Sequence, residues 1–334
     1  MQKNVKQQID YLIKLTDNIG IIEHCLDDRP DYTEGYCVDD NARALQVSLR
    51  FRHQFPLLET VIPVYFNFLK SALKKDGFYN DLNSDLIWKK NFQIGGEHYG
   101  RALAALGEMI KFDSYFNVEA TQLFNKIYLS FNKKTSIYTR VSAQVIMGLK
   151  YYRPEEIQLW ADSLVDQYLK EKTQHLKWFE PLLSYDNSRL PMGLLTAYQI
   201  TGNNQYLRIA LESLDYLTEV TFNKKLNCFV FPGNQGWFTK SGSRNIFDQQ
   251  PIEAGSTTEG LCLAFQITHN KKYQDLALKA FSWYSGKNIL KANMVNPKTG
   301  GIHDGFNNRE MNQNQGAESI ISYLLAYKAI ESTC

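Results

Sequence analysis

Along its 334 residues the chain alternates helices of two kinds, and the pattern predicts an all-α protein folded as an (α/α)6 barrel. Three observations carry the prediction. Apolar residues recur at i, i+3, i+4 and i+7, the helical period, through most of the sequence. The resulting helices number twelve, with mixed-polarity members alternating with members rich in Ala, Gly, Ser and Leu. The starts of the second kind carry dense polar motifs such as "YCVDDNARAL" (36–45), "EHYGRALAAL" (97–106) and "YDNSRLPMGLL" (185–195).

In chain order the helices are expected near 4–17, 39–53, 59–74, 97–112, 117–131, 138–152, 155–171, 187–201, 204–221, 252–268, 271–284 and 316–330. The odd-numbered ones, as in "PEEIQLWADSLVDQYLKE", carry Lys, Glu, Gln and Asn on one face, which suits an outer layer. The even-numbered ones, as in "EAGSTTEGLCLAFQI", are small or apolar all round, so neighbours approach from every side and the helix is buried. The sixth, "YTRVSAQVIMGLKYY", shows less contrast. Pro154, "TGNN" (201–204) and "THNKK" (268–272) mark tight turns between successive helices. "NCFVFPG" (227–233) reads as a small hairpin arm within a loop.

The buried helices start near 39, 97, 138, 187, 252 and 316, a spacing of roughly 40 to 65 residues that marks a repeated helical hairpin with inserts. An open solenoid shares that periodicity. Six hairpins with polarity gathered at one end of the inner ring favour closure, as one domain spanning 1–334. In a closed ring the inner-helix N-termini surround a pit, and "DDNARAL" is polar because it faces that pit.

Composition narrows the function classes. Apolar residues make up 44% and charged residues 22%, enough to bury a large core. The balance of 37 basic against 35 acidic residues, without a basic block, argues against nucleic acid as partner. No apolar run is long enough to span a membrane, and the N-terminal stretch has no signal-like core. Five scattered cysteines without a CxxC pair indicate neither a zinc knuckle nor a disulfide framework, so the cytoplasm is the expected compartment. The aromatic share of 13% suits a core, and in loops it suits stacking on sugar rings.

The layout resembles the six-hairpin glycosidase superfamily of hydrolases, sugar epimerases and lyases. Within it, "GYCVDDNARAL", "WFEPLLSYDNSRLP", "FDQQPIEA" and "NQGAESIISYLLA", which span Gly35 to Ala326, resemble a bacterial group of poorly defined activity. Members of that group stand alone or are attached to glycosyltransferase domains, often among mannoside-processing genes. The resemblance implies the barrel and a sugar context, and it supplies no catalytic pair.

The candidate site is therefore read from residue chemistry. Asp39, Asp40 and Arg43, Glu97 and His98, Asp186 and Arg189, Gln250 and Glu253, His303, Gln315 and Glu318 all fall at inner-helix starts or just before them. Aspartate there first suits a helix cap. Arg43 shares a helix face with Asp39 and Asp40, and Arg189 with Asp186, which suits ion pairs between inner helices. Arg43 is expected to hold Asp40 ionised, making Asp40 the candidate base. Glu253, between Ile252 and Ala254 with no arginine three or four residues onward, is the candidate acid. Glu318 is the second choice. Glu259, six residues and about 600° round the helix from Glu253, is expected to pack between helices. Trp178 and Trp237 are the best stacking candidates, with Tyr36 and Tyr185 beside motifs.

The favoured reading is a two-carboxylate glycoside hydrolase, inverting by preference, acting on a mannoside-like or other oligosaccharide. One alternative is a sugar epimerase using His98 and His303. Another is a non-catalytic glycan-binding module. "DDRPD" (27–31) has the spacing of a diphosphate–magnesium motif, but Pro30 places it in a loop rather than on a helix wall. No metal-ligand spacing is evident and no cofactor is expected. The oligomeric state is left open.

Overall fold

The computed structural model describes residues 5–90, 95–130, 139–234 and 245–333, together with the backbone of 238–239. Among them are twelve α-helices: α1 (Lys6–Lys14), α2 (Val38–Phe51), α3 (Ile62–Ala72), α4 (Glu97–Phe112), α5 (Asn117–Leu129), α6 (Thr139–Tyr152), α7 (Ile157–Glu171), α8 (Arg189–Thr201), α9 (Asn204–Thr221), α10 (Pro251–Thr268), α11 (Lys271–Phe281) and α12 (Ala317–Glu331). The even-numbered helices form the inner ring. Each packs on the next, and α12 packs back on α2, so the ring is closed. The open solenoid is thereby excluded.

The hairpins pair each inner helix with the outer helix that follows it: α2 with α3, α4 with α5, α6 with α7, α8 with α9, α10 with α11. The last inner helix takes the first outer one, α1 packing on α12, so the chain's two ends join the ring. Tyr11 fixes this seam, its hydroxyl donating to the Gln315 carbonyl at 2.9 Å.

Inner-to-outer connections are short. Gly202 ends α8 in a left-handed conformation, and Asn203 caps α9 by accepting from Gln205 N at 2.9 Å. The outer-to-inner connections are long and lie at the N-terminal end of the inner ring. They are stitched by two-residue antiparallel strands, among them Tyr36–Cys37 with Asp81–Leu82 and Phe222–Asn223 with Cys228–Phe229, the arm expected in "NCFVFPG". Gly35 is required beside the first of these: its φ is +88°, and a Cβ there would meet the Leu82 carbonyl oxygen.

Small residues set the ring's tightness. A Cβ on Gly107 of α4 would stand 2.3 Å from the Gly148 carbonyl oxygen of α6, so the two backbones touch at that crossing. Cys25, Cys37, Cys228 and Cys262 are buried free thiols. No helix among the described residues is long and apolar enough to cross a membrane.

Candidate functional site

The N-terminal end of the ring opens into a cleft made of two adjoining cavities of about 340 and 370 Å³, which share Gln250, Asp304 and Asn312. Carboxylates dominate the first: Glu23, Asp39, Asp40, Asp304 and Glu318 all line it, with Arg43, Arg101 and Gln250 between them.

The start of α2 places Asp39 and Asp40. Cys37, not an aspartate, is the N-cap, its sulfur accepting from Asp40 N at 3.4 Å. The two aspartates fall in the first helical turn, where the helix dipole favours negative charge. Asn41 locks this turn to the preceding loop, accepting from Ile21 N at 3.0 Å and donating to the Cys37 carbonyl at 2.8 Å. That loop brings Glu23 over α2. Oxygens of Glu23 and Asp40 and the Cys37 sulfur lie within 4.8 Å of one another.

Arginines tie the ring together beneath the cleft. Arg43 donates to Asp40 at 2.6 Å and to Glu318 of α12 at 3.0 Å. Arg101 of α4 pairs with Asp39 at 3.1 Å and with Glu97 at 3.2 Å, and reaches Asp186 at 3.9 Å. Arg189 of α8 pairs with Asp186 at 3.2 Å and with Glu259 of α10 at 2.7 Å. Arg140 of α6 grips Glu180 through both terminal nitrogens and donates to the Tyr185 carbonyl at 2.7 Å. Arg43, Arg101 and Arg189 are thus interhelical ties, Arg140 ties α6 to the connection before α8, and Glu259 packs between helices.

These neighbours divide the carboxylates by charge. Burial raises Asp39, but Arg101, His98 and Arg43 outweigh it and hold the carboxyl below its ordinary value. Asp40 goes the other way, and here the sequence expectation is corrected. Burial, with Glu318 and Asp39 adding to it, outweighs Arg43 and raises the carboxyl rather than depressing it. Burial and then the charges of Asp40, Asp81 and Asp39 push Glu23 up to about 8. Asp304 is also raised by burial while its Oδ1 accepts from Gly316 N at 2.7 Å and Ser319 Oγ at 2.6 Å, capping α12.

Asp40, Asp186 and Glu253 converge at one end of the ring, as the barrel requires. Glu253, however, faces the ring wall and not the cleft. One oxygen accepts from Asp186 N and the other from Asn187 Nδ2 at 3.0 Å, and the residue is 2% exposed. Burial lifts its carboxyl to about 7, in the direction expected of an acid, but both oxygens are engaged in holding the turn before α8. Asp186 itself sits at φ +45° in that turn, its carboxyl raised by burial yet held low by Arg189, Arg101, Arg43 and Arg140.

The remaining candidates divide as follows. Glu97 and Arg189 join the arginine network, and Glu318 and Gln250 line the cleft. Gln315 is buried away from it, accepting from Thr299 Oγ1 at 3.0 Å. His98 is buried and stacked on Phe78, with Nε2 at 2.9 Å from the Phe78 carbonyl, and burial lowers its imidazole. His303 is buried with Nδ1 at 3.1 Å from the Asn312 carbonyl. Neither histidine lines the two cavities. Trp178 is corrected outright as a stacking platform: it is fully buried, edge-on to Phe179. Tyr36 is buried too, its hydroxyl donating to Asp17. Tyr185 is half-buried, its ring over Arg140 at 5.0 Å. Trp237 lies outside the described residues. Glu23 was missed because no periodicity marks it. The one available signal was a carboxylate directly after "GII" in the long insert before α2.

No protein-family model matches the chain, and no curated protein matches it in sequence. Solved structures do match in fold. A D-mannose isomerase superposes with a TM-score of 0.76 at 11% identity, covering 98% of this chain and 96% of that one. A cellobiose 2-epimerase from Bacillus thermoamylovorans gives 0.77 at 12%, covering 98% and 97%. An inactive α-1,6-mannanase variant from Salegentibacter, in complex with α-1,6-mannotetrose, gives 0.66 at 12%, covering 99% and 98%. The chain has the (α/α)6 toroid fold of these sugar-converting enzymes.

Proposed function

We propose that the protein is a glycoside hydrolase acting in this cleft on an oligosaccharide of the mannoside class. The observation that carries the reading is the opposite charging of carboxyl groups that line one cavity. Glu23, with a pKa near 8, holds its proton at neutral pH, while Asp39 is ionised. Pairs of titratable groups pushed apart in this way mark acid and base. Glu23 donates its proton to the leaving glycosidic oxygen as the C–O bond breaks. Asp39 takes a proton from a water that attacks the anomeric carbon, which is the inverting pathway. Asp40, within 4.8 Å of Glu23, helps Glu23 keep its proton through its negative charge and is itself held in place by Arg43. These roles replace Asp40 as base and Glu253 as acid, because Asp40 and Glu253 are the more deeply buried members. The mannanase relative supports the substrate class: its sugar is a mannotetrose, and its two substituted residues are consecutive aspartates, the arrangement of Asp39–Asp40.

The higher fold similarity to the isomerase and the epimerase favours a second reading, epimerisation by proton transfer. One experiment separates the two. Incubation with α-mannosides and β-mannosides in D₂O, followed by NMR, should show a new reducing end of inverted configuration and no carbon-bound deuterium. Deuterium in the sugar without cleavage would establish the epimerase instead. Neither product would leave a glycan-binding module, which binding of mannotetraose by calorimetry would reveal.

A further inference from the structure

At the opposite end of the ring, where the inner helices finish, a second cavity of about 510 Å³ opens. All six inner helices contribute to it, and the volume is in the range of small-molecule sites. Its floor is an alternating charge chain. Arg189 pairs with Glu259 at 2.7 Å, Arg50 approaches Glu259 at 3.8 Å, and Arg50 also binds Glu108. Arg43 lines this cavity as well as the cleft, so one side chain separates the two sites.

Nearly every cation around the cavity has its own carboxylate. Arg43 has Asp40 and Glu318, Arg52 has Asp113 at 2.6 Å, and Lys328 has Glu331 at 2.7 Å. Lys150, from the last turn of α6, differs. Among the described residues no acceptor stands within hydrogen-bonding distance of its ammonium, which lies over the Tyr151 ring at 4.6 Å. Burial lowers its pKa, with Arg50 acting in the same direction against Glu108. A helix-end lysine that only complements the dipole extends into water. Lys150 instead lines a concave wall already holding an arginine, and Glu108, the carboxylate whose charge acts on it, is already engaged by Arg50 and Gln46.

We propose that this lower cavity is a second ligand site that takes the oxyanion, phosphate or carboxylate, of a sugar-sized metabolite, with Lys150 as its principal contact and Arg50 beside it. The site is separate from the cleft and stands whether or not the hydrolase reading does. Its position against Arg43 gives a bound anion a direct electrostatic hold on the cleft's carboxylates.

Calorimetric titration of the full chain with inorganic phosphate, at ionic strength held with chloride, should show saturable binding of one phosphate per chain. Lys150→Gln should weaken it about tenfold or more, because a charged hydrogen bond is lost, while Lys150→Arg retains it. Glucose 6-phosphate and gluconate titrations then decide which oxyanion the site prefers. Absence of saturable phosphate binding, or parent-like binding by Lys150→Gln, would overturn the proposal. Should that variant fail to fold, acylation of Lys150 in the parent protein, read by mass spectrometry, must slow in phosphate; an unchanged rate would overturn it equally.

Discussion

Adjacent carboxyl groups in one cleft differ in charge because their cations differ. Arg101 reaches Asp39, whereas Glu23 meets mostly other carboxylates. Glu23→Gln and Asp39→Asn keep shape while removing the titrating group, so each should lower hydrolytic turnover about 10²–10⁴-fold while sugar binding persists. The acid form of Glu23 is the active one, so kcat/KM should fall as pH rises through about 8, and Glu23→Gln should lack that limb. Glu253 is predicted to matter differently. Glutamine there turns an amide donor toward a donor, which should cost about 1–3 kcal/mol of stability in urea unfolding. Its folded pKa of about 7 exceeds the ordinary 4.5, so the folded state binds the proton more tightly. The parent's stability from this group is full below 4.5 and lost as pH rises through 7. The gap between parent and Glu253→Gln should therefore narrow across that window.

Helices were legible in the sequence where caps and periodicity agree. α4 and α9 occupy 97–112 and 204–221 residue for residue as expected. α3 and α11 are shorter than expected because a 3₁₀ turn, Pro56–Thr60 or Ser282–Tyr284, occupies part of each apolar stretch. Such tight turns keep the apolar period without the α-helical hydrogen bonds. The small residues of the inner helices carry their meaning at contacts such as Gly107 with Gly148. Gly148→Ala places a Cβ 2.3 Å from the Leu103 carbonyl oxygen, and backbone cannot yield as a side-chain tip does. It should destabilise by about 1–3 kcal/mol or more, with a lower urea midpoint.

For the whole molecule, closure through α1 and α12 makes the first helix a structural member. Ile9, Tyr11 and Leu12 are buried in that contact region. Deleting residues 1–15 should leave the sixth inner helix without its outer partner, and size-exclusion chromatography should show aggregation in place of a compact species. Arg43 links the two ends of the barrel axis, and removing one partner of such a buried pair leaves an uncompensated charge worth about 3–5 kcal/mol. Arg43→Met should accordingly lower the melting temperature measured by calorimetry.

The sequence by itself determined the twelve helices, their alternation between outer and inner layers, and the end of the ring at which polarity gathers. Those follow from local periodicity and from side-chain size, which are properties of neighbouring residues. The tertiary structure alone decided that Glu23 stands over Asp40, that Glu253 turns into the wall, that Trp178 is core, and which aspartate stays ionised. Each of those depends on desolvation and on charges brought from distant segments. Two residues with the same side chain, Asp39 and Asp40, differ because Arg101, His98 and Arg43 outweigh burial at the first, while burial, Glu318 and Asp39 outweigh Arg43 at the second.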